Sequence, residues 1–294
     1  MISLVVSTKN EQQNIKNCLE SIKKQIFDAQ EMEIIVVDNN STDHTKEIAR
    51  QYTDKVFNVG PERSAQRNFG ARQAVGDILG FIDADMILSL GVTQEAAEKF
   101  EQDKNLVGLY INEKIVNIFT GFSQGLPPLK GVRNFFCKVR NFERQFYNLT
   151  LIDAARFMRR DVFFACGAFD ENLFACEDWD LQKRLNIVAR DSDRHFDILN
   201  ALIYHNEKEK KLKDLIAKKK YYAGSFQKYI AKWGKDDLDV KKQFGFWYRY
   251  FGVFMEQGKW RWLLRHPLLA AAMLVSRILV GIVYTAKTLK HLIT

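Results

Sequence analysis

Four short apolar runs, three of them closing on polar or acidic residues, set the narrowest limits on how this chain can fold. Ile2-Ser3-Leu4-Val5-Val6-Ser7 passes into the polar stretch Thr8-Lys9-Asn10-Glu11, and a short run rich in β-branched residues reads as a buried strand. Ile15, Cys18, Leu19, Ile22 and Ile26 then recur at helical spacing. Glu33-Ile34-Ile35-Val36-Val37 is a second strand. It stops at Asp38-Asn39-Asn40-Ser41-Thr42-Asp43, where Ser41 or Asn40 is expected to cap a helix with Asp43 in its first turn. Val56 to Val59 is a third strand, broken by Gly60-Pro61, and a helix from Arg63 to Val75 follows, with Gly76 expected as its left-handed cap. Ile78-Leu79-Gly80-Phe81-Ile82 is the fourth strand and ends at Asp83-Ala84-Asp85. Alternation of this kind with short connections predicts an α/β fold with a mostly parallel sheet flanked by helices.

A parallel sheet gathers the loops after its strands at one edge, where ligands of open α/β sheets bind. Thr8 to Glu11, Asp38 to Asp43 and Asp83 to Asp85 are therefore expected side by side as a nucleotide site. No G-x-G-x-x-G follows the first strand and no G-x-x-x-x-G-K-[ST] occurs, which disfavours a dinucleotide reader and a P-loop. Asp83 and Asp85 offer hard oxygen ligands that suit a divalent cation also touching a diphosphate; the plainer alternative is a strand-ending turn, where Asp is common. Further on, Gly91 to Asn105 reads as a surface helix and Leu106 to Tyr110 as a strand. Phe119 to Val132 is rich in Gly and Pro, as a substrate loop or lid often is. A second acidic cluster, Glu177-Asp178-Trp179-Asp180, opens a helix carried by Leu181, Leu185 and Val188. Acids in a first turn gain about 0.3–1 kcal/mol each from the helix dipole, so the cluster also has a purely structural reading. Ile198 to Tyr204 is the last strand of this region, and His205 follows it.

Together these segments resemble glycosyltransferase family 2, which has the GT-A (Rossmann-like) fold. The segments are Val6 to Glu11, Val37 to Asp43, Ala65-Gln66-Arg67-Asn68-Phe69-Gly70-Ala71 with Gly76-Asp77, Phe81 to Asp85, and Ala168-Phe169-Asp170-Glu171 followed by Glu177 to Leu181. They fall in the family's order and run from about Ile2 to His205, taken as the catalytic domain (1–205). Ser7-Thr8-Lys9 departs from the Pro-Thr-Tyr usual in the family. The resemblance implies an inverting transfer of a sugar from a nucleotide diphosphate to an acceptor hydroxyl. A metal on Asp83 and Asp85 would neutralise the departing diphosphate, and Mg²⁺ and Mn²⁺ both suit two aspartates. The resemblance places the general base at Asp178, with Glu177 and Asp180 orienting the acceptor and Asp180 the rival base. Thr8, Asn10 and Glu11 are expected around the nucleoside, Asp38 on the base or ribose, and Asp83 and Ala84 near the diphosphate. Arg67 either reaches the diphosphate or lies on a solvated helix face. His205 is either a third metal ligand or diphosphate contact, or a structural histidine. A non-catalytic nucleotide-sugar-binding protein and a nucleotidyltransferase are the alternatives; intact acids oppose the first, and the missing Gly-rich basic loop opposes the second.

Charge divides the chain. Met1 to Tyr204 holds 25 basic and 29 acidic residues, a net −4, whereas His205 to Thr294 holds 19 basic and 7 acidic, a net +12. A basic surface acting only in the tail (206–294) points to an anionic membrane or a polyanion. Trp247, Tyr250, Phe251 and Phe254 share a helical face, with Trp260 and Trp262 beyond, a mixture that suits a membrane–water interface; packing against the catalytic domain is the alternative. Pro267 to Ala286 is apolar and of near-spanning length, but Ser276 and Arg277 interrupt it, and a central Arg costs roughly 2.5–3.5 kcal/mol on insertion. Helices lying in the interface are therefore preferred to a span, with Arg277, Tyr284, Lys287 and His291 near one polar stripe. The continuous apolar segment argues for lipid and against nucleic acid, and the expected acceptor is a lipid-linked saccharide or polyprenyl-phosphate. Cys18, Cys137, Cys166 and Cys176 form no C-x-x-C pair and are expected as reduced thiols. The chain opens directly into a strand with no basic and apolar leader, which predicts a place at the cytoplasmic face of the cell membrane.

Overall fold

The structure is a computed structural model that describes residues 1–25, 32–116, 135–206 and 212–278 of the 294. The four expected strands form as β1 (Ile2–Thr8), β2 (Met32–Asp38), β3 (Val56–Asn58) and β4 (Ile78–Asp83), paired in parallel as β3-β2-β1-β4. Their residues alternate between two apolar layers, as the two-residue period of a strand requires. Leu4, Val6, Ile34, Val36 and Ile82 pack with α1 (Ile15–Lys23), α2 (Thr45–Ala49) and α4 (Val92–Gln102). Val5, Ile35, Val37, Leu79 and Phe81 pack on the other face with α3 (Arg63–Gln73), α6 (Arg160–Ala165) and α7 (Glu177–Asp191). Each such side chain contributes roughly 1.5–3 kcal/mol when fully buried, so reversing any strand's register would expose the core.

Beyond β4 the sheet ceases to be purely parallel. β5 (Met86–Leu88), β6 (Leu106–Val116), β7 (Phe157–Arg159) and β8 (His195–Asn206) complete the order β3-β2-β1-β4-β7-β6-β8-β5. β7 is antiparallel to β4 and β6, and β5 is antiparallel to β8. Ala84 and Asp85 alone separate β4, inside the sheet, from β5, its far edge. The sheet must therefore curl until that edge returns to β4, and Asp83-Ala84-Asp85 is the corner where it does so.

Several local expectations are corrected. α2 starts at Thr45, after the loop, because Asp43 is used earlier, accepting from the Thr45 and Gln12 N–H groups. α3 ends at Gln73 with an extended Ala74, so Gly76 is not a left-handed cap. Gly76 is needed for close approach instead: a Cβ there would lie 2.7 Å from Ser3 Oγ and 2.8 Å from the Met1 carbonyl. β6 runs on to Val116, six residues past the expected end.

The tail packs on the catalytic region. α8 (Leu212–Trp233) and α9 (Leu238–Phe244) place Tyr229 and Phe244 edge-on to Trp179. Val139 and Phe142 of α5 (Phe135–Arg144), with Phe146, share a cluster with Tyr248, Val253, Phe254, Ala270 and Met273. The expected aromatic face therefore divides: Phe254 is buried, while Trp247 is 75% exposed. Among the described residues no helix is long and apolar enough to cross a membrane. The helix at 267–278 is the described part of the apolar run, whose remainder, with Tyr284, Lys287 and His291, lies outside the described residues, as does the expected lid at Phe119 to Val132.

Candidate active site

The loops after β1, β2 and β4 meet at one edge, as parallel pairing dictates. Thr8 stands opposite Asp38 and Ser7 opposite Asp83 in the ladder. Asn10, in the left-handed conformation that Asn tolerates, donates its N–H to Ser41 Oγ (2.7 Å) and accepts the Thr42 N–H on Oδ1 (2.9 Å). Glu11 donates its N–H to Thr45 Oγ1 (2.8 Å), and its carboxylate accepts from Asn14 Nδ2. Asp38 is fully buried and accepts both the N–H and the hydroxyl of Ser41, at 2.7 and 2.5 Å. Its carboxylate shapes the β2 loop here, whereas the sequence reading gave it to a base or ribose. Thr8 is buried and, among the described residues, its Oγ1 has no hydrogen-bond partner.

Arg67 joins this edge to the second acidic cluster. It lies on α3, only 1% exposed, so it is not the solvated helix-face arginine of one sequence reading. Its Nη2 donates to Asp83 Oδ1 (2.9 Å) and its Nη1 to Asp178 Oδ1 (2.7 Å), while the guanidinium lies 5.3 Å from the Phe169 ring centre. A fork of donors is what allows one cation to hold two carboxylates. Burial opposes the charge on Asp83, but Arg67, Arg156 and Arg63 outweigh it and hold its carboxyl well below the usual range.

Asp83 and Asp85 do not face the same partners. Asp83 Oδ1 also accepts from Ser7 Oγ (3.0 Å), and its Oδ2 lies 3.6 Å from Arg156. Asp85 turns to β8, where its Oδ2 is 3.0 Å from His205 Nε2. Burial works against a charged imidazole, yet Asp85 and Glu113 push His205 up to about 9. His205 Nδ1 is buried, with Glu113 3.8 Å away. Among the described residues no three His, Cys, Asp or Glu side chains form a complete metal cage. The chemistry of the pair still fits a hard divalent ion, which takes one or two protein ligands and completes its shell with phosphate oxygens and water. Asp85 and His205 are the residues that would hold it, and Asp83 is committed to Ser7 and the arginines.

The acids at the start of α7 have distinct environments. Asp178 is 36% exposed and lines a cavity of about 380 Å³ with Glu113, Glu143, Tyr147, Asp153, Arg156 and Trp179 among its walls. Glu177 is buried, with Arg63 Nη2 2.9 Å from Oε1, and burial together with the Asp178 charge pushes its carboxyl up. Asp180 is 0% exposed and bonded to Arg184 (2.6 and 3.0 Å), Trp233 Nε1 (2.9 Å) and Lys232 (2.8 Å). That arrangement pins α7 to α8 and pairs both Asp180 oxygens with donors of these two helices.

Three participants escaped the sequence reading. Arg63 precedes Arg67 by one helical turn, a repeat that was legible. Arg156 and Glu113 were not, because their pairing across β6 and the residue before β7 (Nε and Nη2 to Glu113 Oε1, 3.0 and 2.7 Å) follows from strand order alone.

A curled sheet with an acidic strand corner, joined through Arg67 to an acidic helix start, is the arrangement of the GT-A class. The chain belongs to Glycosyl transferase family 2, whose family model matches residues 3–165, more than half of its length. Among its relatives, Glycosyltransferase AglE of Haloferax volcanii is 38% identical over 91 residues, covering 29% of this chain and 30% of that protein. Poly(ribitol-phosphate) beta-N-acetylglucosaminyltransferase TarS of Staphylococcus aureus is 32% identical over 124 residues, 39% of this chain and 21% of that protein. The matches thus span a third or less of the length of these curated relatives. The crystal structure of S. aureus TarS 1-349 in complex with UDP-GlcNAc aligns with a TM-score of 0.57 and 23% identity, covering 82% of this chain and 69% of the other. The mannosyltransferase PcManGT from Pyrobaculum calidifontis, in complex with GDP-Man and Mn²⁺, aligns at 0.56 and 18%, covering 98% and 79%. At these identities the structural likeness carries the fold.

Proposed function

We propose that this protein is an inverting glycosyltransferase that moves a sugar from a nucleotide diphosphate to an acceptor hydroxyl, with Asp178 as general base. The observation that carries the reading is the Asp83–Arg67–Asp178 bridge, which ties the donor-side loop edge to the carboxylate on the cavity wall. Asp178 accepts the acceptor's hydroxyl proton as the acceptor oxygen bonds to the anomeric carbon. The bond from that carbon to the diphosphate breaks on the opposite face, and its electron pair leaves with the diphosphate. Arg67 is anchored on Asp83 and holds Asp178 in place. The unpartnered Thr8 Oγ1 supports a polar donor at the β1 loop, since buried polar atoms ordinarily find partners. A divalent cation on Asp85 and His205 would supply charge neutralisation on the departing diphosphate.

The acceptor is read as lipid-linked, a polyprenyl-phosphate or a saccharide built on one, reached from the cytoplasmic face of a membrane. Exposed Phe246, Trp247, Phe251, Leu264 and Leu268, near Arg261 and Arg265, support this. Asp178→Asn is expected to keep donor-induced thermal stabilisation and to lose transfer, and undiminished transfer would refute its role as base. Flotation with vesicles of anionic and of neutral lipid tests the tail. Equal recovery with and without vesicles would refute the membrane reading and leave the transferase reading standing.

A further inference from the structure

Arg277 interrupts the apolar run of the tail, where a polar stripe facing lipid headgroups was expected. The structure instead buries it to 10% exposure against α5. Its Nη1 donates to Glu143 Oε1 (2.5 Å) and to the Tyr147 hydroxyl, and its Nη2 to the Arg249 carbonyl. The guanidinium lies over Tyr250 and Phe254, 5.0 and 5.2 Å from their ring centres. A guanidinium is tolerated in such a place only when paired and hydrogen-bonded.

The partners matter more than the arginine. Glu143 and Tyr147 both line the cavity that Asp178 enters. α5 thus has two duties: Val139 and Phe142 pack against the tail, while Glu143 and Arg144 face the cavity. Tyr147 also donates to Glu143, and burial with the Glu143 charge keeps its phenol protonated. A carboxylate and a phenol fixed in this way suit an acceptor rich in hydroxyls, since the second carboxylate oxygen of Glu143 accepts from hydroxyl groups and the phenol oxygen, its proton given to Glu143, keeps one lone pair that can also accept.

We infer that Arg277 is a positioning residue for acceptor binding. It holds Glu143 and Tyr147 against the cavity, so the 267–278 helix helps build the acceptor site of a hydroxyl-rich, saccharide-like substrate, besides any membrane contact. The inference rests on the proposed function in taking the cavity as the acceptor's place.

Two measurements on Arg277→Ala and Arg277→Lys, in the full chain, test it. Hydrogen exchange of residues 135–150 is expected to quicken about tenfold in Arg277→Ala with β4 unchanged, and less in Arg277→Lys, which keeps the charge but loses the fork. Kinetics with octyl β-D-glucopyranoside as acceptor should show its KM raised about tenfold, with kcat and donor hydrolysis to water within about twofold. If Arg277→Ala fails to fold, Arg277→Lys carries both measurements, with a smaller KM effect in the same direction. Unchanged exchange in 135–150 overturns the coupling. Faster exchange with an unchanged acceptor KM overturns the role in acceptor binding, and equal loss of transfer and hydrolysis reduces Arg277 to general support. A wild type that consumes no nucleotide-sugar, with or without acceptor, refutes the transferase reading instead, and the exchange measurement still decides the coupling.

Discussion

Replacing Arg67 with Met removes a cation that bonds a carboxylate at the end of β4 and another at the start of α7. Met roughly fills the volume of the aliphatic stem, so the loss is electrostatic. Asp83 is 16% exposed and keeps Arg156 at 3.6 Å, so it loses its nearer cation but not its only one. Removing one partner of a buried ion pair costs about 3–5 kcal/mol, and the remaining Arg156 places Asp83 at about 3 on that scale. Asp178 is 36% exposed, and water screens its share to about 0.5 kcal/mol. The sum, about 3.5 kcal/mol at neutral pH, corresponds to a Tm lower by roughly 7–14 °C at about 2–4 °C per kcal/mol for domains of 150–250 residues. The pH dependence gives a second check. Asp83 has a depressed pKa in the folded state, so the stability it contributes is present above the unfolded value near 4 and is lost as pH falls. The deficit of the variant should therefore be largest at pH 7 and shrink below about pH 4. Thermal unfolding of both proteins at pH 7.5 and 3.5 measures this. A Tm within 2 °C of wild type at pH 7.5, or a deficit that grows in acid, would refute the reasoning.

Asp180→Asn should lower stability by about 1–3 kcal/mol by leaving Arg184 without its counter-charge and Lys232 with Asp170 alone. Transfer per folded molecule should stay within about threefold; a hundredfold loss at unchanged Tm would return Asp180 to the chemistry. Gly76→Ala should cost about 1–3 kcal/mol, because two of the three atoms nearest its new methyl are backbone (Met1 O and Ser3 N) and cannot swing aside. An unchanged denaturant midpoint would contradict that contact. Burial raises Asp153, and the Glu113 charge adds to it, to about 7, against N–H donors at Leu149 and Ala154 and the Arg156 charge. A raised folded pKa means stability present below about 4 and lost as pH rises through 7. The stability difference between wild type and Asp153→Ala should accordingly fall between pH 5 and 8, and a difference that rises would reverse the assignment.

The sheet edge was legible because it depends on local patterns. Strands that are apolar on both faces must be sandwiched by helices, and parallel connection then brings Thr8, Asn10, Asp38 and Asp83 to one rim whatever the later chain does. The acidic opening of α7 was legible for a similar reason, since its carboxylates precede a helical apolar spacing. Which acid does what was not local. Asp178 and Asp180 are two residues apart with the same chemistry, yet a helix turns about 100° per residue and sends them to opposite surroundings, one to the cavity and one to α8. Asp83 and Asp85 part in the same way, because the sheet curls at Ala84 and only then does β8 bring His205 to the second carboxylate. Arg67 was noticed but read either as a phosphate contact or as a solvated helix-face residue, since its partners lie 16 and 111 residues away. Arg277, costly in an apolar run by sequence, becomes acceptable only when α5 supplies Glu143. The sequence by itself determined the strands and the rim, because those follow from periodicity and short-range order, and its motifs carried the resemblance to the family; pairing of charges across elements was decided by tertiary structure, because burial and counter-charge exist only once distant segments meet.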